Sequence, residues 1–98
     1  MQDREHIYIG GAWVRPMREA TPLAVVNPAN AQAIARVPAC SGEDVATAVA
    51  AARAALTAWS ALAPAQRAAY LQQIAQGLKA RADELARLIT SEVGTPIK

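Results

Sequence analysis

The stretch LAVVNPANAQAIARVPACSGEDVATAV (Leu23–Val49) contains the change of rhythm on which the fold turns. In its first half two apolar runs, Leu23–Val26 and Ala33–Val37, flank Asn27-Pro28-Ala29-Asn30. Proline fixes φ and asparagine tolerates the left-handed conformation, so this tetrapeptide predicts a turn and the two runs a hairpin. After Cys40 the pattern changes. Ser41 is a good helix N-cap, with Asp44 three residues later as the reciprocal capping-box partner. Glu43 and Asp44 place negative charge at the positive end of the helix dipole. Val45, Val49, Leu56 and Trp59, with Ala52 filling the gap, then recur at steps of four and three residues, which is one face of a helix. Strands are expected before residue 41 and helices after it.

Toward the N-terminus, IYIGGAWV (Ile7–Val14) has β-favouring residues on both sides of Gly10-Gly11. Tight hairpin turns need positive φ at their central residues, which glycine supplies without steric cost. A first hairpin of Ile7–Ile9 with Ala12–Val14 follows. VRPMREATP (Val14–Pro22) reads as an irregular connection, because Pro16 and Pro22 disfavour a central strand. The two hairpins are expected to form one small sheet, weak without helices packed on it.

Toward the C-terminus, Pro64 suits the first turn of a second helix. Leu71, Ile74, Leu78, Leu85, Leu88 and Ile89 keep helical spacing, and Ala75 and Ala82 widen the stripe. Gly77 weakens the helix interior and Asp83 can act as a local N-cap, so a break is expected near Ala80–Asp83, giving two or three helices in all. Gly94 is the expected terminator, with Pro96 two residues beyond. The expected core joins Val45, Val49, Leu56 and Trp59 to Leu71, Ile74, Leu78 and Leu85. Ala48, Ala51 and Ala55 would let another element approach the first helix closely. The fold class is α+β: strands over 1–40, helices over 41–94.

Composition narrows the function. Of 98 residues, 53% are hydrophobic, which argues against disorder, but roughly a quarter are alanine. Alanine favours helix and buries little surface, so helices come easily and a self-sufficient core does not. Net charge is +2, and the ten basic residues are scattered without interleaved aromatics, which excludes the clustered charge of a nucleic-acid binder. MQDREHIYIGG has no apolar signal core. The most apolar window, AVAAARAALTAWSALA, is interrupted by Arg53 and predicts no membrane span.

The chemistry-bearing residues form no constellation. Cys40 is the lone thiol, so no intrachain disulfide exists; it reads as a small packing residue rather than a nucleophile. His6 is the lone histidine and reads as a surface residue without a zinc partner. Glu43/Asp44 and Asp83/Glu84 are explained by helix starts. Glu92 is different: a carboxylate near a helix C-terminus is electrostatically unfavourable, which suggests a second duty. There is no G-x-G-x-x-G and no phosphate loop. The residues alone describe a partner-needing module without an active site, and leave open an autonomous helical interaction module with no enzymatic activity.

Taken in order, the pieces resemble the start of the aldehyde dehydrogenase superfamily. IYIGGAWV resembles its opening hairpin, and VVNPANAQAIARVPAC resembles its Val-Asn-Pro-x-Thr-Gly-x-x-Ile-x-x-Val stretch. EDVATAVAAARAALTAWSALAPAQRAAYLQQIAQGLKARADELARLITSEVGTP resembles the helical segment that closes on Glu-x-Gly-Lys-Pro. The likeness runs from Ile7 to Pro96. It departs at Ala31, where the family has a turn glycine, at Leu56, often Phe, and at Thr95, often Lys. With Ala31 there, Asn30 is expected to carry more of the strained geometry. The resemblance implies that residues 1–98 are the leading part of a Rossmann-type cofactor-binding domain, cut just past a helix end. The remainder of the chain is then its partner, and the parent is a cytoplasmic homo-oligomer, dimer or tetramer. The implied parent reaction converts an aldehyde to a carboxylic acid with NAD or NADP, through a cysteine thiolate and a glutamate-activated water that both lie downstream. The resemblance assigns no catalytic or cofactor-binding residue and no bound cofactor to this segment. It implies one ligand set: a monovalent cation between the carbonyl of Val25 or Val26 and the carboxylate of Glu92.

Overall fold

The computed structural model describes residues 2–19 and 21–97. Met1, Ala20, which falls in the expected connection, and Lys98 lie outside the described residues. The elements follow the order β1 (Gln2–Asp3), β2 (Ile7–Ile9), β3 (Ala12–Val14), β4 (Pro22–Val26), β5 (Ala33–Pro38), α1 (Gly42–Ala61), α2 (Pro64–Ala80) and α3 (Ala82–Val93).

The first hairpin forms at the expected residues. Ile7 faces Val14, Tyr8 faces Trp13 and Ile9 faces Ala12. Gly10 and Gly11 take φ of 62° and 81°, the double left-handed turn that matches strand twist. The Tyr8 and Trp13 rings meet edge to face at 5.2 Å, a cross-strand pair that adds to hairpin stability. A Cβ added to Gly10 would lie 3.7 Å from the Ala51 Cβ, so the turn rests on the small-residue side of α1.

The second hairpin pairs β4 with β5, antiparallel, with an irregularity between Val25 and Val26. Its turn is closed by Asn27 at both ends: the Asn27 amide donates to the Gln32 carbonyl at 2.9 Å, and the Ala31 amide donates to the Asn27 carbonyl at 2.8 Å. Asn27 Oδ1 accepts from the Ala29 amide at 2.9 Å, and Asn30 Oδ1 accepts from the Gln32 amide at 3.0 Å. The strained geometry expected at Asn30 falls instead on Ala31, whose φ is 59°. Asn30 is held by its side-chain bond two residues on, an Asx turn, and the left-handed step passes to the next residue. Ala31→Gly is therefore expected to stabilise the chain. Relief of about 1–2 kcal/mol of left-handed strain outweighs the about 0.4–1 kcal/mol lost to the freer unfolded glycine. A higher urea midpoint with an unchanged slope would verify it.

The hairpins do not form one sheet. β2–β3 stands alone, and β4–β5 joins β1 in a sheet of order β1-β5-β4. β1 runs parallel to β5, with Gln2 opposite Ala35, and the Arg4 amide extends the pairing to the Arg36 carbonyl at 2.9 Å. A two-residue strand has no periodicity to read, which is why the sequence did not announce it. Pro22 opens β4, an edge strand where its missing N–H costs no ladder bond.

α1 begins with the expected Ser41–Asp44 capping box. Its last turn has no basic residue, and Arg67 from α2 supplies the charge: Arg67 Nη1 donates to the Leu62 carbonyl and to the Ser60 carbonyl at 3.4 Å. Cations there offset the negative end of the helix dipole. α2 starts with Pro64 in its first turn, and Gln66 Oε1 accepts from the Ala63 amide at 3.0 Å. The expected break falls at Arg81 (φ −109°, ψ 19°). Arg81, not Asp83, occupies the cap of α3; Asp83 lies inside the first turn, and Arg81 instead pairs with Glu84 at 2.7 Å. Gly94 ends α3 at φ 78°, its amide donating to the Thr90 carbonyl at 2.9 Å.

The expected core is not assembled. Among the described residues no apolar side chain is buried. Leu85 is half-buried, and the other seven residues named for that core are exposed. The two helices meet at their junction, where the Trp59 and Tyr70 rings sit 5.8 Å apart. The chain measures 49 × 39 × 15 Å with a radius of gyration of 17.1 Å, against about 13 Å for a packed domain of this length. It is one layer thick, and a helix stripe needs a second layer to be buried.

Candidate functional site

The one buried residue among those described is charged. Asp44 is 3% exposed. Its Oδ2 accepts from the Ser41 amide at 3.0 Å and from the Ser41 hydroxyl at 3.1 Å, and Ser41 Oγ accepts from the Asp44 amide at 3.3 Å. The capping box explains those bonds. It does not explain Oδ1, which accepts from the Met17 amide at 2.9 Å. The Met17 amide, then the Ser41 amide, hold the Asp44 carboxyl below its ordinary pKa, because bonds to the charged form favour it. Two contacts fasten the same segment. Arg18 Nε donates to Glu43 Oε1 at 3.0 Å, and the Thr47 hydroxyl, which also reaches the Glu43 carbonyl at 3.0 Å, lies 3.4 Å from Met17 Sδ. Asp44 thus ties the connection after β3 to the start of α1. Sequence reasoning found its cap and missed its second partner, since nothing local in Met17 signals an orphan amide.

The residues implied as cation ligands lie on two elements, β4 and α3, whose following residues approach each other. Val25 and Val26 end β4, and the ladder is irregular between them. Such an irregularity disrupts local pairing. Glu92 lies in the last turn of α3, exposed, and its carboxylate takes part in no hydrogen bond or ion pair among the described residues. The helix end reaches the turn that follows Val26: a Cβ on Gly94 would stand 3.2 Å from Pro28 Cγ. The Thr90 hydroxyl donates to the Thr95 carbonyl at 2.5 Å and fixes the chain leaving the helix.

The remaining candidates stay apart. Cys40 is exposed, with its sulfur 4.0 Å from the Pro38 carbonyl, so it is not the packing residue expected. Too little apolar surface surrounds it in a single layer. His6 is exposed, as expected. It lines an open cleft of about 850 Å³ with Glu5, Trp13 and Val37. That cleft lies between the two sheets, carries charges of both signs and contains no thiol. Among the described residues no group of three His, Cys, Asp or Glu side chains could hold a metal ion. The glycine pair at 10–11 is spent on a hairpin turn against α1.

Comparison with known proteins gives this incomplete layer a context. The sequence profile of the aldehyde dehydrogenase family matches residues 13–98. The chain is 37% identical over 97 residues to 3-succinoylsemialdehyde-pyridine dehydrogenase of a Pseudomonas species, covering 99% of this chain and 20% of that protein. Its backbone superposes on an aldehyde dehydrogenase crystal structure from Bartonella henselae with a TM-score of 0.94 and 28% identity, over 98% of this chain and 20% of the other. It is also similar to aldehyde dehydrogenase C of Pseudomonas syringae, crystallised as a mutant with NAD+ and octanal: TM-score 0.88, 41% identity, 92% of this chain and 18% of that one. The chain therefore spans about a fifth of the length of the relatives it matches. The two hairpins and three helices are the N-terminal part of the aldehyde dehydrogenase fold, held in the conformation the larger proteins give it. A helix stripe without a second layer and a family profile covering all but the first twelve residues have one reading in common: the chain belongs to the aldehyde dehydrogenase family.

Proposed function

We propose that these residues are the leading part of the cofactor-binding domain of an enzyme that oxidises an aldehyde to a carboxylic acid with NAD+ or NADP+. The observation that carries this reading is the TM-score of 0.94 over 98% of the chain to one-fifth of an aldehyde dehydrogenase. The complex of the Pseudomonas syringae protein with NAD+ and octanal supports the cofactor and substrate class. The cofactor supplies a hydride acceptor when bound; this segment contributes scaffold. Its helices brace the sheet that holds the cofactor, and its partner is the remainder of the enzyme chain, in a cytoplasmic dimer or tetramer. No helix among the described residues is long and apolar enough to cross a membrane.

The test has two parts. An antibody against this segment should detect, in the source cells, a polypeptide several times heavier than 10.3 kDa. That polypeptide, purified, should reduce NAD+ or NADP+ in the presence of an aldehyde, and residues 1–98 alone should not. A heavy polypeptide without aldehyde-dependent reduction would refute the activity.

We also propose that the carbonyl of Val25 or Val26 and the carboxylate of Glu92 share a monovalent cation. The unengaged carboxylate beside the negative end of α3 supports this, as a cation there offsets both charges. Sodium or potassium titrated into the full-length protein should raise its melting temperature, and Glu92→Gln should abolish the rise. Equal responses in the two proteins would sink the assignment.

A further inference from the structure

α3 ends against its own charge. Glu92 lies in the last turn, and that turn holds no basic residue. A carboxylate beside the negative end of the helix dipole favours opening of the turn that carries it, and helix ends fray first in any case. Thr90 holds this turn closed with both of its polar groups. Its carbonyl accepts from the Gly94 amide at 2.9 Å, and its hydroxyl donates forward to the Thr95 carbonyl at 2.5 Å. The direction is telling. Helical Ser and Thr hydroxyls commonly donate back to the carbonyl one turn earlier, as Ser91 next door does to Arg87 at 2.9 Å. Among the described residues the Gly94 amide makes the only backbone bond across this helix end, so the Thr90 hydroxyl is the second tie. Glu92 sits midway between the two ends of the tie to Gly94, two residues after Thr90 and two before the glycine. Gly94 in turn abuts Pro28, which follows Val26 by two residues.

We infer that Thr90 is a positioning residue for the cation: its forward hydrogen bond keeps the last turn of α3 formed against the charge of Glu92, and so keeps that carboxylate where it shares the ion with the Val25 or Val26 carbonyl. This rests on the cation reading proposed above. A carboxylate and a carbonyl are hard oxygen donors, a set that suits hard cations such as sodium or potassium. An ion that needs the formed turn binds with an affinity reduced by the fraction of molecules in which the turn is open. Thr90 therefore acts on affinity through Glu92 and touches no ion itself. The charge that binds the ion is the same charge that opens the turn, and the hydroxyl offsets that conflict.

The test uses the full-length protein, with thermal midpoints followed through sodium and potassium titrations. Thr90→Val keeps the shape and removes the donor; Thr90→Ser keeps the donor. Thr90→Val is expected to raise the cation concentration of half-maximal stabilisation by about three- to five-fold, through loss of one hydrogen bond that holds the competent turn. Thr90→Ser should restore the unaltered value. A merely structural role would lower the midpoint of Thr90→Val without cation and leave the half-maximal concentration where it was; that result overturns the inference. Hydrogen exchange reads the cause separately. Without added cation, the amides of residues 93–95 should exchange faster in Thr90→Val, and adding Glu92→Gln should reverse part of the gain, because the opposing charge is gone. Exchange indifferent to Glu92→Gln in that background overturns it too. An unaltered protein with no cation response refutes the cation reading and the inference together. A response that Glu92→Gln abolishes and Thr90→Val leaves intact refutes the role of Thr90 alone.

Discussion

Asp44→Ala is expected to release two segments at once, and to cost more than any other single capping change in the chain. Ser41→Ala removes one cap partner, worth about 1 kcal/mol. Asp44→Ala removes the reciprocal half of the same box and also leaves the Met17 amide without its acceptor. The freed amide lies in a part-buried contact, so part of its desolvation penalty is added to the lost bond. Hydrogen exchange should report both losses: faster exchange at Met17 and at the first turn of α1, with the C-terminal turns of α3 unaffected. The urea midpoint should fall further than for Ser41→Ala. Equal falls would show that the Met17 bond contributes nothing.

The same residue sets a pH dependence. The Asp44 carboxyl titrates below its ordinary value in the folded chain, so the unfolded chain binds the proton first as pH falls. Its contribution to stability is complete above the unfolded pKa of about 3.9 and is lost as pH drops through the lower folded pKa. Asp44→Asn keeps the shape and an acceptor for Met17 but cannot ionise. Its unfolding midpoint should fall less than that of the unaltered chain across that interval, the remaining fall coming from groups such as Glu84, whose carboxyl the Arg81 hydrogen bond also holds below its ordinary value.

Gly94→Ala is the second large effect, with two causes that add. At φ 78° an L side chain meets its own carbonyl, for about 1–2 kcal/mol. The new Cβ would also stand 3.2 Å from Pro28 Cγ, so the helix end and the Asn27–Pro28 turn must move apart. Loss of about 2 kcal/mol is expected in all, read as a lower thermal midpoint of the full-length protein. If Val25, Val26 and Glu92 share a cation, the same substitution should also weaken the sodium or potassium response. Ala31→Gly is the opposite test of the same physics: one position has the left-handed angle with a side chain, the other without.

Local signals carried most of the secondary structure. Gly10-Gly11, Asn27-Pro28, Ser41 with Asp44, Pro64 and Gly94 each act within four or five residues. Each worked as its own chemistry dictates, because turns and caps are decided by φ and by one or two nearby hydrogen bonds. Even the break at Arg81 was legible in the weak helix around it, although the capping residue was not. The candidate cation ligands were visible only through likeness to a family; neither the valines nor Glu92 forms a pattern by spacing. The carboxylate at the wrong end of a helix was the sole physical hint.

What the amino-acid order determined by itself is the set of elements, their ends and the apolar stripe on each helix. Tertiary structure alone decided what those stripes and edges meet. It split two hairpins between two sheets, paired β1 with β5, passed the strained step from Asn30 to Ala31 and brought Met17 to Asp44 across 27 residues. It also left Val45, Leu56, Leu71 and Ile74 uncovered. The reason is range. A turn or a cap is satisfied by neighbours in the chain, whereas an apolar stripe states only that it must be covered. Which surface covers it depends on layers that these 98 residues, one element thick, do not themselves supply.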